Sequence, residues 1–266
     1  AIITDFTDNI DIPKEKILTL NVNISGRVNP DTGYSYSLFN FSEVSLSSLI
    51  EEKTGLQTTI DNDSRAMAYG EYMAGCVKGE KNVLFINISW GLGMGIILNG
   101  EVYKGRSGFS GEIGHIHAFD NELICHCGKK GCLETEASGS AFFRIVRERI
   151  NAGEASTVKT DKDGNFSFQD AVNNEDSLCI DVVDSIGQKL GLQISALINV
   201  LNPELVVIGG SMAATGVYLL QAIKSAVIKY SLSLVHKDTH IVLSKQKDRA
   251  GLIGACMGAR KNALHE

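Results

Sequence analysis

Three features of this 266-residue chain predict an α/β fold. Segments with strand character alternate with segments of helical periodicity along most of its length. The glycines at 91, 93 and 95 lead into a second strand and not into a helix. Leu205-Val206-Val207-Ile208 is wholly apolar and runs into Gly209-Gly210, the pattern of a strand buried on both faces.

Taken in order, residues 17–24 alternate with period two and read as a strand that Ser25-Gly26 stops. Asn29-Pro30-Asp31-Thr32-Gly33 is a turn: proline fixes φ and glycine supplies a positive one. A short amphipathic helix is expected over 46–53, closed by Gly55, and a strand over 57–60. Asp61-Asn62-Asp63-Ser64 then precedes a helical pattern over 65–74. Its side-chain oxygens can accept from the free amides of the first turn, which makes it an N-cap. Pairing Asn62 with Asp63 at a strand-to-helix corner also leaves a polar group to face a cleft, and both readings stand.

A buried strand over 83–89 leads to Trp90-Gly91-Leu92-Gly93-Met94-Gly95. Alternate glycines let a backbone approach a phosphate, but the pattern alone is unspecific. Its continuation discriminates. Ile96-Ile97-Leu98, Asn99-Gly100 and Glu101-Val102-Tyr103 read as strand, type I′ turn and strand, whereas a dinucleotide fold places a helix after its glycines. The glycine run is therefore expected to be a strand-to-strand turn, as in actin-like and sugar-kinase ATPases.

Helices follow over 138–150, 178–201, 219–230 and 250–260, with strands over 205–208 and 240–243. Asn202-Pro203 ends the long helix. The polar stretch 151–174, which carries Asp161-Lys162-Asp163-Gly164, reads as a surface excursion without chemistry. His236, His240 and His265 stand alone, as surface or packing histidines do.

Composition narrows the function. A 44% hydrophobic fraction, 21% charged residues and three prolines describe an ordinary globular chain. The net charge of −6 argues against a broad basic surface, so these residues are not expected to grip nucleic acid. No apolar run approaches the ~18 to 20 residues of a membrane span, and no basic-then-apolar secretory pattern opens the chain, so a cytoplasmic protein is expected. Cys76, Cys179 and Cys256 are expected to be buried free thiols.

The other three cysteines fall in one short loop as Cys125-x-Cys127-x4-Cys132, with Gly128 and Gly131 bending the backbone between the sulfurs. Cys125 and Cys127 are too close in sequence to bridge comfortably, which leaves metal ahead of a disulfide. With His115 they make the Cys3His set of a closed, tetrahedral structural zinc site. His117 and His126 are alternative fourth ligands. His115 is preferred because Glu112, three residues before it, would then be held beside the metal loop.

Gly111-Glu112-x-Gly114-His115, followed by Cys125-x-Cys127-Gly128-x2-Gly131-Cys132-x-Glu134, resembles the signature of the ROK family of repressors, open reading frames and sugar kinases. Gly26-Arg27-Val28-Asn29-Pro30, Asn62-Asp63, the glycine hairpin, residues 202–210 and residues 250–255 extend the resemblance over nearly the whole chain. It implies an actin-like (ribonuclease H-like) fold of two lobes, with residues 1–62 and 248–266 in a smaller, incomplete lobe. Residues 63–247 would form the larger lobe, with the zinc loop, the sugar site and an oligomerisation surface. It further implies that Asn62, Asp63, Glu112, His115 and Glu134 bind sugar hydroxyls, with one ring nitrogen of His115 on zinc. In the kinases of the family, the residue matching Asp63 is the general base. Gly91, Gly93, Gly95, Gly209 and Gly210 would be remnants of the nucleotide loops.

Two departures stand against a kinase. No Asp-x-Gly-Gly-Thr type phosphate loop precedes residue 17, and Ser89-Trp90 replaces the family's usual Gly-Thr, placing an indole where ATP phosphates would lie. The chain opens on Ala1 without Met and is expected to be a fragment; the resemblance to ROK repressors implies a winged helix-turn-helix before it that would contact DNA. The expected protein is the sugar-sensing body of a ROK transcriptional regulator, zinc-stabilised, homodimeric or homotetrameric, and not an enzyme. The alternative is a hexose or N-acetylhexosamine kinase using ATP and Mg2+.

Overall fold

The computed structural model describes residues 2–39, 43–158, 167, 172 and 175–264. A helix, α1 (Ile2–Asn9), opens the chain. Strand β1 (Leu20–Ile24) then pairs in parallel with β4 (Thr58–Asn62), Ile24 standing opposite Asn62. Between them lie the hairpin β2 (Val28–Asn29) and β3 (Tyr34–Ser35) and the helix α2 (Leu46–Thr54). The hairpin turn is the one expected at Asn29–Gly33, with Gly33 at φ 72° donating its N–H to Asn29 O at 3.0 Å. β1 begins three residues later than its alternation suggests, because its ladder starts where β4 first supplies a partner, at Leu20 opposite Thr58.

Helix α3 (Asp63–Ala74) follows β4 directly. The main sheet has the order β7-β6-β5-β8-β9, formed by β5 (Val83–Ile88), β6 (Leu92–Leu98), β7 (Glu101–Val102), β8 (Leu205–Gly209) and β9 (His240–Leu243). β5, β8 and β9 run parallel, and β6 and β7 are antiparallel additions. Every residue of β5 and β8 is buried, as expected for central strands covered on both faces. Asn99 and Gly100, at φ 54° and 84°, make the type I′ turn between β6 and β7.

One expectation is corrected here. The glycine run is not a loop as a whole: the turn is confined to 89–91, and Gly93 and Gly95 lie inside β6. α3 lies so close across them that a Cβ on Gly93 would meet Ser64 Oγ at 2.4 Å, and one on Gly95 would meet Ala68 Cβ at 2.3 Å. Packing alone demands glycine at both places.

The other face of the sheet is covered by α4 (Gly139–Asn151), α5 (Ser177–Leu201), α6 (Val217–Tyr230) and the short α7 (Ser233–Lys237). Ile186, Leu190, Ile194 and Ile198 of α5 are fully buried and form the spine of the largest core cluster. The last helix, α8 (Arg249–Leu264), returns to cross α3. Cys179 is a buried thiol as expected, Cys76 is half-buried, and Cys256 is exposed. The exposure of Cys256 follows from periodicity: Ala250 and Gly254 turn one stripe of α8 to α3, and a residue two positions on points away. The polar segment 161–164 and His265 lie outside the described residues. No described helix is long and apolar enough to cross a membrane.

Candidate functional site

The β4–α3 corner settles what Asn62 does locally. Its Oδ1 accepts from Arg65 N at 3.0 Å as the N-cap of α3, and its Nδ2 donates to Gly26 O at 2.9 Å. Asn62 thus ties the segment after β1 to the start of α3. Asp63, one residue on, has a carboxylate that accepts from Ser64 N at 2.7 Å and from Ser25 Oγ. Cap and cleft roles fall on neighbouring residues.

Asp63 opens onto a cleft of about 470 Å³ that also takes in Ser25, Ser37, Glu112, His115 and Glu134. Glu112 reaches it through the tight approach of Gly111 to β6, where a Cβ would stand 1.9 Å from Met94 O. Burial raises the Glu112 pKa above the usual carboxylate value; the nearby His115 and Arg27 oppose this, and the acids Glu134 and Asp63 add to it. Glu134 is almost fully buried, its Oε2 accepting from Leu92 N at 2.8 Å and its Oε1 lying 2.8 Å from His126 Nδ1. The five residues assigned to sugar binding therefore converge on one cleft, although both polar ends of Asn62 are engaged by the protein itself.

Polar side chains that sequence patterning did not single out continue this site. Asn87 is a lone amide in an otherwise apolar strand; its Nδ2 donates to Ser64 Oγ at 3.0 Å, and its Oδ1 accepts from Ser89 Oγ at 2.8 Å. The signal was present in residues 83–88 as the one amide that burial would force to find partners. The proposed nucleotide glycines also have packing reasons. A Cβ on Gly209 would strike the Phe85 ring at 2.2 Å, and Gly210 sits at φ 82° against Ile88 O. Gly91 faces Glu134, whose Oε2 would lie 2.7 Å from its Cβ.

Next to the cleft, a ring nitrogen of His115 and the Sγ atoms of Cys125, Cys127 and Cys132 all lie within 4.8 Å of one another. A tetrahedral site with metal–sulfur bonds of about 2.3 Å and metal–nitrogen bonds of about 2.0 Å has S···S edges of about 3.8 Å and N···S edges of about 3.5 Å. Cys127 and Cys132 are 3.7 Å apart, and Cys125 is 3.5 Å from His115 Nδ1. The donor set and its spacing fit a metal ion. Burial pushes the Cys125 thiol up to about 12, a value that a cation would reverse by binding the thiolate. Of the alternative histidines, His117 is turned toward Asp120, and His126 forms a second group with Cys125 and Glu134. His115 turns its other nitrogen, Nε2, toward Glu112 Oε2 at 3.6 Å, so one ring spans the metal loop and the cleft.

The ROK family profile matches residues 1–262. The chain belongs to the ROK family. Its ROK relatives include a glucokinase of Halalkalibacterium halodurans, 35% identical over 91% of this chain and 76% of that protein. They also include the DNA-binding transcriptional dual regulator NagC of Escherichia coli, 31% identical over 95% of this chain and 63% of that one. A solved ROK family transcriptional regulator, homolog of the E. coli MLC protein, superposes with a TM-score of 0.82 at 32% identity, covering 99% of this chain and 66% of that one. The fold is the mixed α/β, actin-like fold of ROK sugar kinases. The chain spans about two thirds of the length of these two regulators. Both kinases and repressors stand among its relatives, so family membership leaves the enzyme question to the site.

Proposed function

We propose that this chain is the sugar-binding body of a ROK transcriptional regulator of carbohydrate metabolism, with Zn2+ held by His115, Cys125, Cys127 and Cys132. The observation that carries the choice is Trp90. Its backbone is fixed in the β5–β6 corner by bonds from Gly139 N to Ser89 O (2.8 Å) and from Ser140 N to Trp90 O (2.9 Å), and its indole is 69% exposed. Phosphoryl transfer depends on positioned phosphates and on charge stabilisation, and an indole on a fixed corner offers neither. Asp63, Glu112, His115 and Glu134 supply acceptors and a ring nitrogen for sugar hydroxyls.

The reading divides the chain into lobes of 1–62 with 248–266 and of 63–247, which meet along the cleft and the α3–α8 crossing. Sugar that favours the closed arrangement shifts the population away from the DNA-binding one, in a whole protein whose DNA reader lies outside these residues. Exposed apolar side chains on α5 to α7, among them Val200, Ile228 and Leu234, support self-association.

The second reading, an ATP-dependent hexose or N-acetylhexosamine kinase, draws on Asp63 and on the glucokinase relative. Incubating the full-length protein with ATP, Mg2+ and a panel of hexoses and N-acetylhexosamines separates the two. The regulator reading expects binding of a sugar without sugar phosphate. Robust phosphorylation that Asp63→Asn abolishes would replace it with the kinase.

A further inference from the structure

A second cavity of about 280 Å³ adjoins the cleft. The two share Trp90, His126 and Glu134, and the second continues away from Asp63 past Ile124, Ser140 and Arg144. Two large apolar side chains are presented at this place. Trp90 leans on Phe143 at 5.9 Å with 30° between the rings and is still 69% exposed, and Ile124, at the edge of the cysteine loop, is 71% exposed. With its backbone held at the corner and its ring resting on Phe143, the indole has little conformational freedom to lose on contact, and its exposed surface is an apolar platform. Ser140 Oγ, paired with Ser138 Oγ at 2.9 Å, keeps a lone pair for a hydroxyl at the edge of a ring, while Arg144, held by Glu148 and Thr135 O, forms the wall behind it.

We infer that this cavity is an extension subsite that stacks a second sugar ring on Trp90, so that the ligand of the cleft is a disaccharide or longer glycoside and not a free monosaccharide. The inference rests on the sugar-binding reading above. The apolar face of a pyranose would lie against the indole, while the first ring occupies the acid-lined cleft. A free monosaccharide fills the cleft and leaves the platform in water.

Trp90 is the single tryptophan of these 266 residues, so the emission change that is present in the wild type and missing from Trp90→Phe reports this subsite. The zinc-loaded protein is titrated with glucose, xylose and N-acetylglucosamine, and with cellobiose, maltose, xylobiose and chitobiose. Emission is followed alongside calorimetry, which reads binding at either ring. At least one disaccharide should bind about tenfold more tightly than its own monosaccharide and shift the emission, the stacked ring contributing on the scale of an aromatic contact. Trp90→Ala should erase most of that ratio and Trp90→Phe restore part of it, while Ile124→Ser lowers it about threefold. Equal affinity for both classes in the wild-type protein, or a Trp90→Ala loss that is the same for both, overturns the subsite and leaves the sugar reading standing. Calorimetric silence toward every saccharide overturns the sugar reading itself.

Discussion

Asp176 shows how much one buried carboxylate can hold. It caps α5 by accepting from Cys179 N at 2.8 Å, and its other oxygen accepts from Ser156 Oγ at 2.8 Å and Thr157 Oγ1 at 3.1 Å. Burial opposes its charge, but the donors from Cys179, Ser156 and Thr157 outweigh burial and hold the carboxyl below the ordinary carboxylate range. A group whose folded pKa is depressed stabilises above its unfolded value, and that contribution is lost as pH falls through the folded value. Asp176→Asn should therefore cost about 2 kcal/mol at neutral pH, from a weakened cap and weakened charged hydrogen bonds. The gap between variant and wild type in urea unfolding should narrow in acid; a gap independent of pH would show that the charge contributes nothing. Among the thiols, Cys127→Ser removes one of four donors and should lower bound zinc and the thermal midpoint together. Full zinc occupancy by elemental analysis would strike Cys127 from the ligand set.

At the level of elements, the position of Asp63 depends on a helix crossing. Gly70 of α3 and Gly254 of α8 face each other's backbones so closely that a Cβ on Gly70 would lie 2.0 Å from Ala250 O, and one on Gly254 would lie 1.8 Å from Ala66 O. Glu71 fastens the far end of α3 by accepting from Gln246 N at 2.6 Å and Cys76 N at 3.0 Å. Gly254→Val should push the helices apart, costing about 1–3 kcal/mol by overpacking, and should weaken sugar binding by shifting Asp63 even though residue 254 touches no ligand. Unchanged stability and affinity together would show that the crossing has slack. The sequence made α2 to α6 and α8, the N-cap and the cysteine loop legible, because each carries a local signal of periodicity, cap chemistry or ligand spacing, but not the short α1 and α7, which have too few turns to show a period. It did not disclose that Gly93, Gly95, Gly70 and Gly254 are contact glycines, since their reason lies on another element. Asn87 stands between these cases: a lone amide in an apolar strand announces that it needs partners, but that Ser64 is one of them is a product of the α3–β5 approach and is written in neither segment.

For the molecule as a whole, the decisive residue is the one that belongs to two sites. His115 sets Nδ1 3.5 Å from Cys125 Sγ and turns Nε2 to Glu112 and the cleft, and Glu134 lies 3.8 Å from Cys125 Sγ while accepting from Leu92 N at the start of β6. A metal that fixes the imidazole ring fixes the face it offers to a sugar, and a sugar bound to that face restrains the ring that holds the metal. Linkage makes such coupling reciprocal: the factor by which metal tightens sugar must equal the factor by which sugar tightens metal. Stripping the metal with a chelator should therefore weaken saccharide binding, and saturating saccharide should reduce metal release to a competing chelator by a similar factor. About 1–3 kcal/mol of coupling, or roughly 5- to 150-fold, is the expected range. Glu112→Gln keeps all four metal donors and removes an acceptor from the cleft, so it should lower sugar affinity and shrink the protection of the metal while leaving metal content in the absence of sugar unchanged. If the stripped protein stays folded by circular dichroism and binds sugar as before, the loop stabilises the chain but does not communicate with the cleft.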